Sequence, residues 1–404
     1  MSRAVSTRGH RPDYVLAITI FVLLAFGLIM MYNINPALSQ KLLGRVDSGY
    51  YFRGQLTNVI IGLAVWLAAS SIYYRRWRSW APTLMVVSII ALLALMVPGL
   101  SFERNGATRW LGIGSWSFQP AELFKIALVF YLATWFERRG RELTNFWEGV
   151  VPFSLMLVFS GILLVVFQRD MGTMMVVALS AIAMFYVAGI KLRHLLVLAG
   201  AGLAAGWLAI VTFPHRMSRV AAFLNPSQNT DAGGYHINQA LIAIGSGGLF
   251  GLGLGKSIQI YGYLPEASND SIFAVIAEEF GFIGAGLIIA LFSILIYRGL
   301  KIAAAAPDLF GRLVATGITT VFMFQAFINI AAMIALVPLT GIPLPFISYG
   351  GSSLVIMLAG AGILQNISKY TVREVASEDS RKRRRIGRAY IADPGNGRSV
   401  KTAR

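Results

Sequence analysis

The sequence predicts an all-α polytopic membrane protein, and three observations carry that reading. Of its 404 residues, 56% are hydrophobic and only 13% charged, more apolar than a soluble globular chain tolerates. The apolar residues gather in ten runs of about 20, the length a helix needs to cross a bilayer core. Lys and Arg crowd alternate connections between those runs, as they do when loop charge sets orientation in a membrane. Cysteine is absent, and His10, His194, His215 and His236 show no metal-ligand spacing. Disulfides, thiolate chemistry and a Cys-ligated metal are excluded.

The ten runs are Tyr14 to Tyr32, Arg53 to Tyr73, Trp80 to Pro98, Ala121 to Glu137, Gly149 to Phe167, Gly172 to Gly189, His194 to Phe213, Ser271 to Tyr297, Gly311 to Ala335 and Gly350 to Tyr370. An even number puts both termini on one side. That side carries 25 of the 35 Lys and Arg, so it is cytoplasmic. The first run follows a basic flank but no small-residue cleavage site, and reads as a retained anchor. Residues 1–13 are then a basic cytoplasmic tail, 14–370 the ten-helix membrane domain with a long extracytoplasmic loop at 214–270 between helices seven and eight, and 371–404 a basic tail expected to be disordered. The net charge of +17 does not argue for nucleic acid, because eleven basic residues follow Ser368. A basic tail beside a span meets anionic membrane lipid.

Charged residues at the outer ends of the spans are the candidates for function. In the loop Gly99 to Gln119, an Asn105-Gly106 turn precedes Arg109-Trp110, which reads either as a snorkelling cation with a belt aromatic or as a binding pair. Pro120 suits a helix start, and Glu122 and Lys125 three residues apart share a face, as a self-neutralising pair or part of a site. Between spans five and six, Arg169 and Asp170 need partners at that depth. Lys125 is the expected partner of Asp170, in a buried ion pair with Glu122 close by.

The 214–270 segment opens with Arg216 and Arg219 and continues through Tyr235 and Gln239. From Ala240 to Ser257 it is apolar and glycine-rich but too broken for a span, which suggests a re-entrant or surface-lying element. It ends in Gly255-Lys256-Ser257, yet a phosphate-binding P-loop would need glycine where Phe250 stands. Pro265 and the Ser268 to Ser271 cluster are turn and helix-start residues. They place Glu266 and Asp270 on a loop ahead of a helix beginning near Ser271. Asp270 reads as an N-cap or as a catalytic carboxylate. Glu278 and Glu279, two turns further on, need partners or water. The last outer loop leads through Pro343 and Pro345 into Ser348-Tyr349-Gly350-Gly351-Ser352-Ser353, small residues suited to close helix packing.

Taken together, several of these motifs resemble one family along the whole membrane region, the SEDS proteins (FtsW, RodA and SpoVE), which polymerise lipid II into peptidoglycan glycan strands. They are Asn105-Gly106 with Arg109-Trp110, Gln119-Pro120-Ala121-Glu122 with Lys125, the Gln168 to Thr173 turn, Arg216 with Arg219, Tyr235 with Gln239, Leu264-Pro265-Glu266-Ala267, Ile272 to Gly281, and Ser348 to Ser353. The Leu-Pro-Glu-Ala form, and Gly-Leu-Gly-Lys-Ser before it, look more like FtsW, the division member, than RodA. Two departures stand out. Arg169 falls where the family usually has proline, and Ser268-Asn269-Asp270-Ser271 replaces His-Thr-Asp-Phe, keeping the aspartate without its usual neighbours.

The resemblance implies a glycosyltransferase of the bacterial inner membrane, with Asp270 as general base. Glu266, Arg109, Glu122, Lys125, Asp170, Arg216, Arg219, Gln239, Lys256 and Ser352 are then the candidates for binding substrate. A leaving diphosphate calls for cations or for a divalent ion such as Mg or Mn. The partners implied are lipid II, the growing glycan chain, a class B penicillin-binding protein acting as transpeptidase, and division proteins. The competing class is a lipid-linked precursor flippase, for which charges near the midplane and two related halves would be expected.

Overall fold

The computed structural model describes residues 10–43, 49–104, 107–113, 116–212, 214–225 and 232–371. Each of the ten expected runs is helical. They form α1 (Tyr14–Leu43), α2 (Tyr50–Ser71), α3 (Arg76–Ala94), α4 (Pro120–Arg139), α5 (Val151–Gly161), α6 (Met171–Val187), α7 (Leu192–Thr212), α10 (Ile272–Ala304), α11 (Leu309–Met333) and α12 (Gly351–Ser368). The loop between α7 and α10 adds α8 (Pro214–Leu224) and α9 (Ala232–Ser246). Among the described residues eight helices are long and apolar enough to cross a membrane. One of them is α5, which π-helical turns at Phe146–Val150 and Ile162–Phe167 lengthen to 22 residues. The other two runs differ for physical reasons: α6 has 17 residues, and α4 carries Glu122, Lys125 and Glu137.

Those two helices lie inside the bundle. α11 packs against α4, α6 and α10, and α12 lies along α2. Burial follows this plan: 83% of the apolar window of α11 is enclosed, against 6% for α7, which stands at the edge. At the arginine-rich end the segment before α1 clasps the end of α12. His10 N donates to Lys369 O (2.8 Å), Asp13 N to Ser368 Oγ (3.0 Å), and Arg298 Nε to Asp13 Oδ2 (2.9 Å). The basic tail beyond residue 371 lies outside the described residues.

The expectation of an all-α chain fails at the end of the bundle opposite the arginine-rich one. Strands β1 (Ser101–Arg104), β2 (Ala107–Ile113) and β3 (Trp116–Phe118) form an antiparallel sheet with Ser101 opposite Leu111 and Ile113 opposite Trp116. Thr108, Trp110 and Ile113 are residues that strands favour, and an Asn-Gly pair between such runs is the commonest hairpin signal. The Asn105-Gly106 turn itself lies outside the described residues. Ser352 ties this sheet to α12: its Oγ accepts from Gln119 N and donates to Ser117 O, each at 3.1 Å.

Glycine explains the broken run after α9. α10 loses helical geometry at Gly281 (φ 66°, ψ −164°), and the residues around the break bond to the backbone of 247–253 instead. Leu252 N and Gly253 N donate to Glu278 O and Glu279 O (both 3.0 Å), and Phe282 N donates to Gly248 O (2.9 Å). A Cβ on Gly247, Gly251 or Gly281 would run into the opposing backbone. The segment, expected to be re-entrant or surface-lying, packs its backbone against α10, which satisfies it, and leaves Leu249, Phe250 and Leu254 exposed.

Candidate active site

Asp270 sits one residue before the N-cap of α10, which is Ser271, and no side-chain cap bond forms there. Its loop is held from two sides. Asn329 of α11 donates through Nδ2 to Asp270 O and to Ile342 O, both at 2.7 Å. Ser348 Oγ donates to Asn269 O (2.5 Å), and Tyr349 N donates to Ser268 O (2.8 Å). Within the loop, Asn269 N and Ser271 N turn back to Glu266 O, and Glu266 itself takes a positive φ of 48°.

Clamped backbone leaves the Asp270 carboxyl in an unusual state. The residue is 7% exposed, and its Oδ1 is buried with no hydrogen-bond partner. Burial first, and the Glu266 charge second, push its pKa up to about 7, against the pull of its own and Ser271's backbone amides and of Arg219. A carboxyl so placed changes protonation near neutrality, as a general base must.

His236, from α9, reaches the same loop. Its Nε2 lies 2.6 Å from Ser271 Oγ, and that hydroxyl donates to Pro265 O (2.8 Å). Since the single hydroxyl proton goes to the carbonyl, the His236 Nε2 carries a proton and donates. Burial lowers the His236 pKa to about 4, with Glu266 pulling it up and Arg219 pushing it down. It is a neutral imidazole at physiological pH. The spacing of histidines alone gave no hint of this role, since α9 and the 265–271 loop are joined only by folding.

The candidate cations separate into two groups. Arg219 lies in electrostatic reach of Asp270, Asp170 and Arg109 while donating to Leu339 O (3.3 Å). Arg109 donates from Nε to Gln168 O (3.2 Å) and from Nη2 to Arg169 O (2.5 Å), fastening the sheet to the turn between α5 and α6. Arg216 is engaged with Ala209 O (3.0 Å) and Val165 O (2.6 Å), bracing α8. Lys256 and Gln239 lie on the 214–270 segment, Lys256 exposed and Gln239 half-buried.

The expected Lys125–Asp170 pair is not formed. Lys125 Nζ meets Glu122 at 2.8 and 2.9 Å and Gln325 Oε1 at 2.6 Å, all buried. Asp170 is instead the N-cap of α6, accepting from Thr173 N (3.0 Å) and Thr173 Oγ1 (2.8 Å). Both carboxylates chose local partners, which cost no rearrangement of helices. Glu278 and Glu279 are likewise satisfied. Glu278 accepts from Ser257 Oγ and from Ile258 N (3.1 Å), and Glu279 from Asn33 Nδ2 (2.6 Å). Gln325 and Asn329, polar and four residues apart on apolar α11, were a legible sign of interior partners.

Residues 14–373 match the model of the cell cycle protein family that takes in FtsW, RodA and SpoVE. The chain belongs to this family. It is 40% identical over 368 residues to stage V sporulation protein E of Bacillus subtilis, covering 91% of this chain and all of that one. It is 38% identical over 358 residues to the probable peptidoglycan glycosyltransferase FtsW of a Geobacter species, covering 88% and 96%. Among solved structures it superposes at a TM-score of 0.74 and 28% identity on a chain from work on structural coordination of polymerization and crosslinking by a peptidoglycan synthase complex, covering 90% of this chain and 99% of that one. Against Thermus thermophilus rod shape determining protein RodA the TM-score is 0.65 at 28% identity, with 90% and 98% covered. Among the described residues no three His, Asp or Glu side chains gather as a metal-ligand set.

Proposed function

We propose that this chain is a peptidoglycan glycosyltransferase that polymerises lipid II, with Asp270 as its general base. The observation that carries the reading is the Asp270 carboxyl, buried with Oδ1 unpartnered and a pKa near 7, whereas Glu122, Asp170, Glu278 and Glu279 each have a donor partner. In this reading ten helices cross the bacterial inner membrane, α4 and α6 inside the bundle, with both termini cytoplasmic and the Asp270 loop outside. Family membership and relatives named as glycosyltransferases support it.

Asp270 Oδ1 accepts the proton of a sugar hydroxyl on one lipid-linked disaccharide. The oxygen attacks the anomeric carbon of a second, and the bond to the lipid diphosphate breaks. Arg219, in reach of Asp270, is the cation best placed to stabilise that diphosphate. Asn329, Ser348 and His236 hold the loop so that the base does not drift. A divalent ion, where the reaction uses one, would be held by Asp270, Glu266 and the substrate diphosphate, and would stabilise the charge of the leaving group.

The FtsW-like loop motif and the relatives named FtsW support a role in cell division, with a class B penicillin-binding protein as transpeptidase partner. The decisive assay incubates purified protein with lipid II, with and without divalent ions, and looks for polymer on a gel. Polymer that Asp270→Asn abolishes is the expected outcome. Transbilayer movement of lipid II without polymer would replace this reading with a flippase.

A further inference from the structure

A second site lies at the opposite, arginine-rich end of the bundle. α3, α4 and α5 flank a half-open groove of about 270 Å³ lined by Pro82, Met85, Val86 and Ile89, by Leu128 and Tyr131, and by Met156 and Phe159. From Pro82 to Ile89 is seven residues, or about 10 Å of helix. A volume of about 270 Å³ over that length leaves a channel roughly 6 Å across. A helix with side chains is about 10–12 Å wide and does not fit. A single hydrocarbon chain does.

The mouth of this groove is cationic. Arg78 lies four residues before Pro82, on the same face of α3, and Arg138 lies seven residues after Tyr131, two turns along the groove wall of α4. Arg78 shares its charge with Glu137 (3.2 Å), Arg75 pairs with Asp308 (2.7 Å), and Arg139 pairs with Glu142 (3.1 Å). Arg138 is exposed and makes no such pair among the described residues, although it lies in electrostatic reach of Glu137. Beside Arg78, Trp77 stacks on Phe130 with ring centroids 5.3 Å apart, and its buried Nε1 has no protein acceptor. An unpaired guanidinium at the end of an apolar channel one chain wide stands in the order of a phosphate and an acyl tail.

We propose that this groove binds an anionic phospholipid, one acyl chain between α3, α4 and α5 and the phosphate on Arg138, with Arg78 beside it. Leu128 lines the groove and also a small void under Lys125. The lipid therefore rests one turn from the buried Glu122–Lys125–Gln325 cluster and adds packing to the α3–α4 contact.

The test uses the full-length protein in nanodiscs and native mass spectrometry with phosphatidylglycerol and phosphatidylcholine as probes. At least a 10-fold preference for retained phosphatidylglycerol is expected, and Arg138→Gln lowers it at least 5-fold. Arg193→Gln, at the same end on another helix, leaves it unchanged. Ile89→Trp fills the channel and abolishes retention with either headgroup, and polymerisation of lipid II reports separately whether the variants are folded. Equal retention of the two lipids, or retention untouched by Ile89→Trp, overturns the proposal. A photo-crosslinker at Val86 should label lipid. Labelling of a protein in its place would overturn the proposal in favour of a partner helix.

Discussion

Replacing Asp270 by Asn separates its chemical role from its cost to the fold. Because folding raises this carboxyl from 3.8 to about 7, the folded state holds a proton that the unfolded state has released across pH 4 to 7. Stability therefore falls as pH rises through that window and is flat above it. At about 1.4 kcal/mol per pH unit, the penalty above pH 7 is at most about 4 kcal/mol. Asp270→Asn keeps the shape and removes the charge, so its thermal midpoint in detergent should exceed that of the wild type at pH 8 and converge with it near pH 4. Its polymerisation rate should fall about 100-fold to 10,000-fold, with lipid II binding retained. An N-cap predicts the reverse, a loss of about 1 kcal/mol with activity kept. A variant as active as wild type, or less stable at pH 8, would refute the assignment and move the base to Glu266.

Other expectations follow from the same contacts. For wild type, kcat/KM should climb tenfold per pH unit below about 7 and level off above, with no limb from His236 until near pH 4; a profile flat from pH 5 to 8 contradicts this. His236→Leu should reduce activity about 10-fold by freeing Ser271, and His236→Gln, which restores a donor, should recover most of it in the same assay. Lys125→Met should cost about 3–5 kcal/mol by leaving Glu122 buried and unpaired. Lys125→Met with Glu122→Gln should cost far less, and a double-mutant cycle between Lys125 and Asp170 should show coupling near zero in thermal denaturation. Gly281→Ala should give little folded protein by size-exclusion chromatography, since the backbone of 249–251 has no room for a Cβ and φ of 66° strains any other residue.

Much of the membrane fold was legible because it depends on local runs. Twenty apolar residues specify a helix in lipid wherever they occur, so all ten runs are helices, and Ser271 opens α10 where its turn residues said it should. The sheet at 101–118 was legible in principle, through Asn105-Gly106 and the alternation after it, but loop position masked a strand signal. Pairings were not legible, because they depend on which helices meet. Lys125 and Asp170 looked like cheapest partners when only depth was considered, yet a Glu one turn away and an N-cap amide require no helix packing at all. His236 meeting Ser271 joins residues 35 apart in sequence. Nothing in either neighbourhood encodes that contact.

The same preference for local partners explains why Asp270 stands apart. A carboxylate near lipid is stabilised most cheaply by its own helix or turn, as Glu122 and Asp170 show with Lys125 and Thr173. Asp270 had the same option, since the free amides of the first turn of α10 lie directly ahead of it. Two other segments hold its backbone where the option is not taken. Asn329 binds its carbonyl, Ser348 the carbonyl of Asn269, and Tyr349 that of Ser268. Each bond goes to main chain, so the loop is rigid while the carboxyl oxygen is left unsatisfied. An unpaired buried acceptor costs stability that a purely structural loop would not give up. The arrangement is economical only if something else supplies the missing donor, and a substrate hydroxyl about to lose its proton is such a donor.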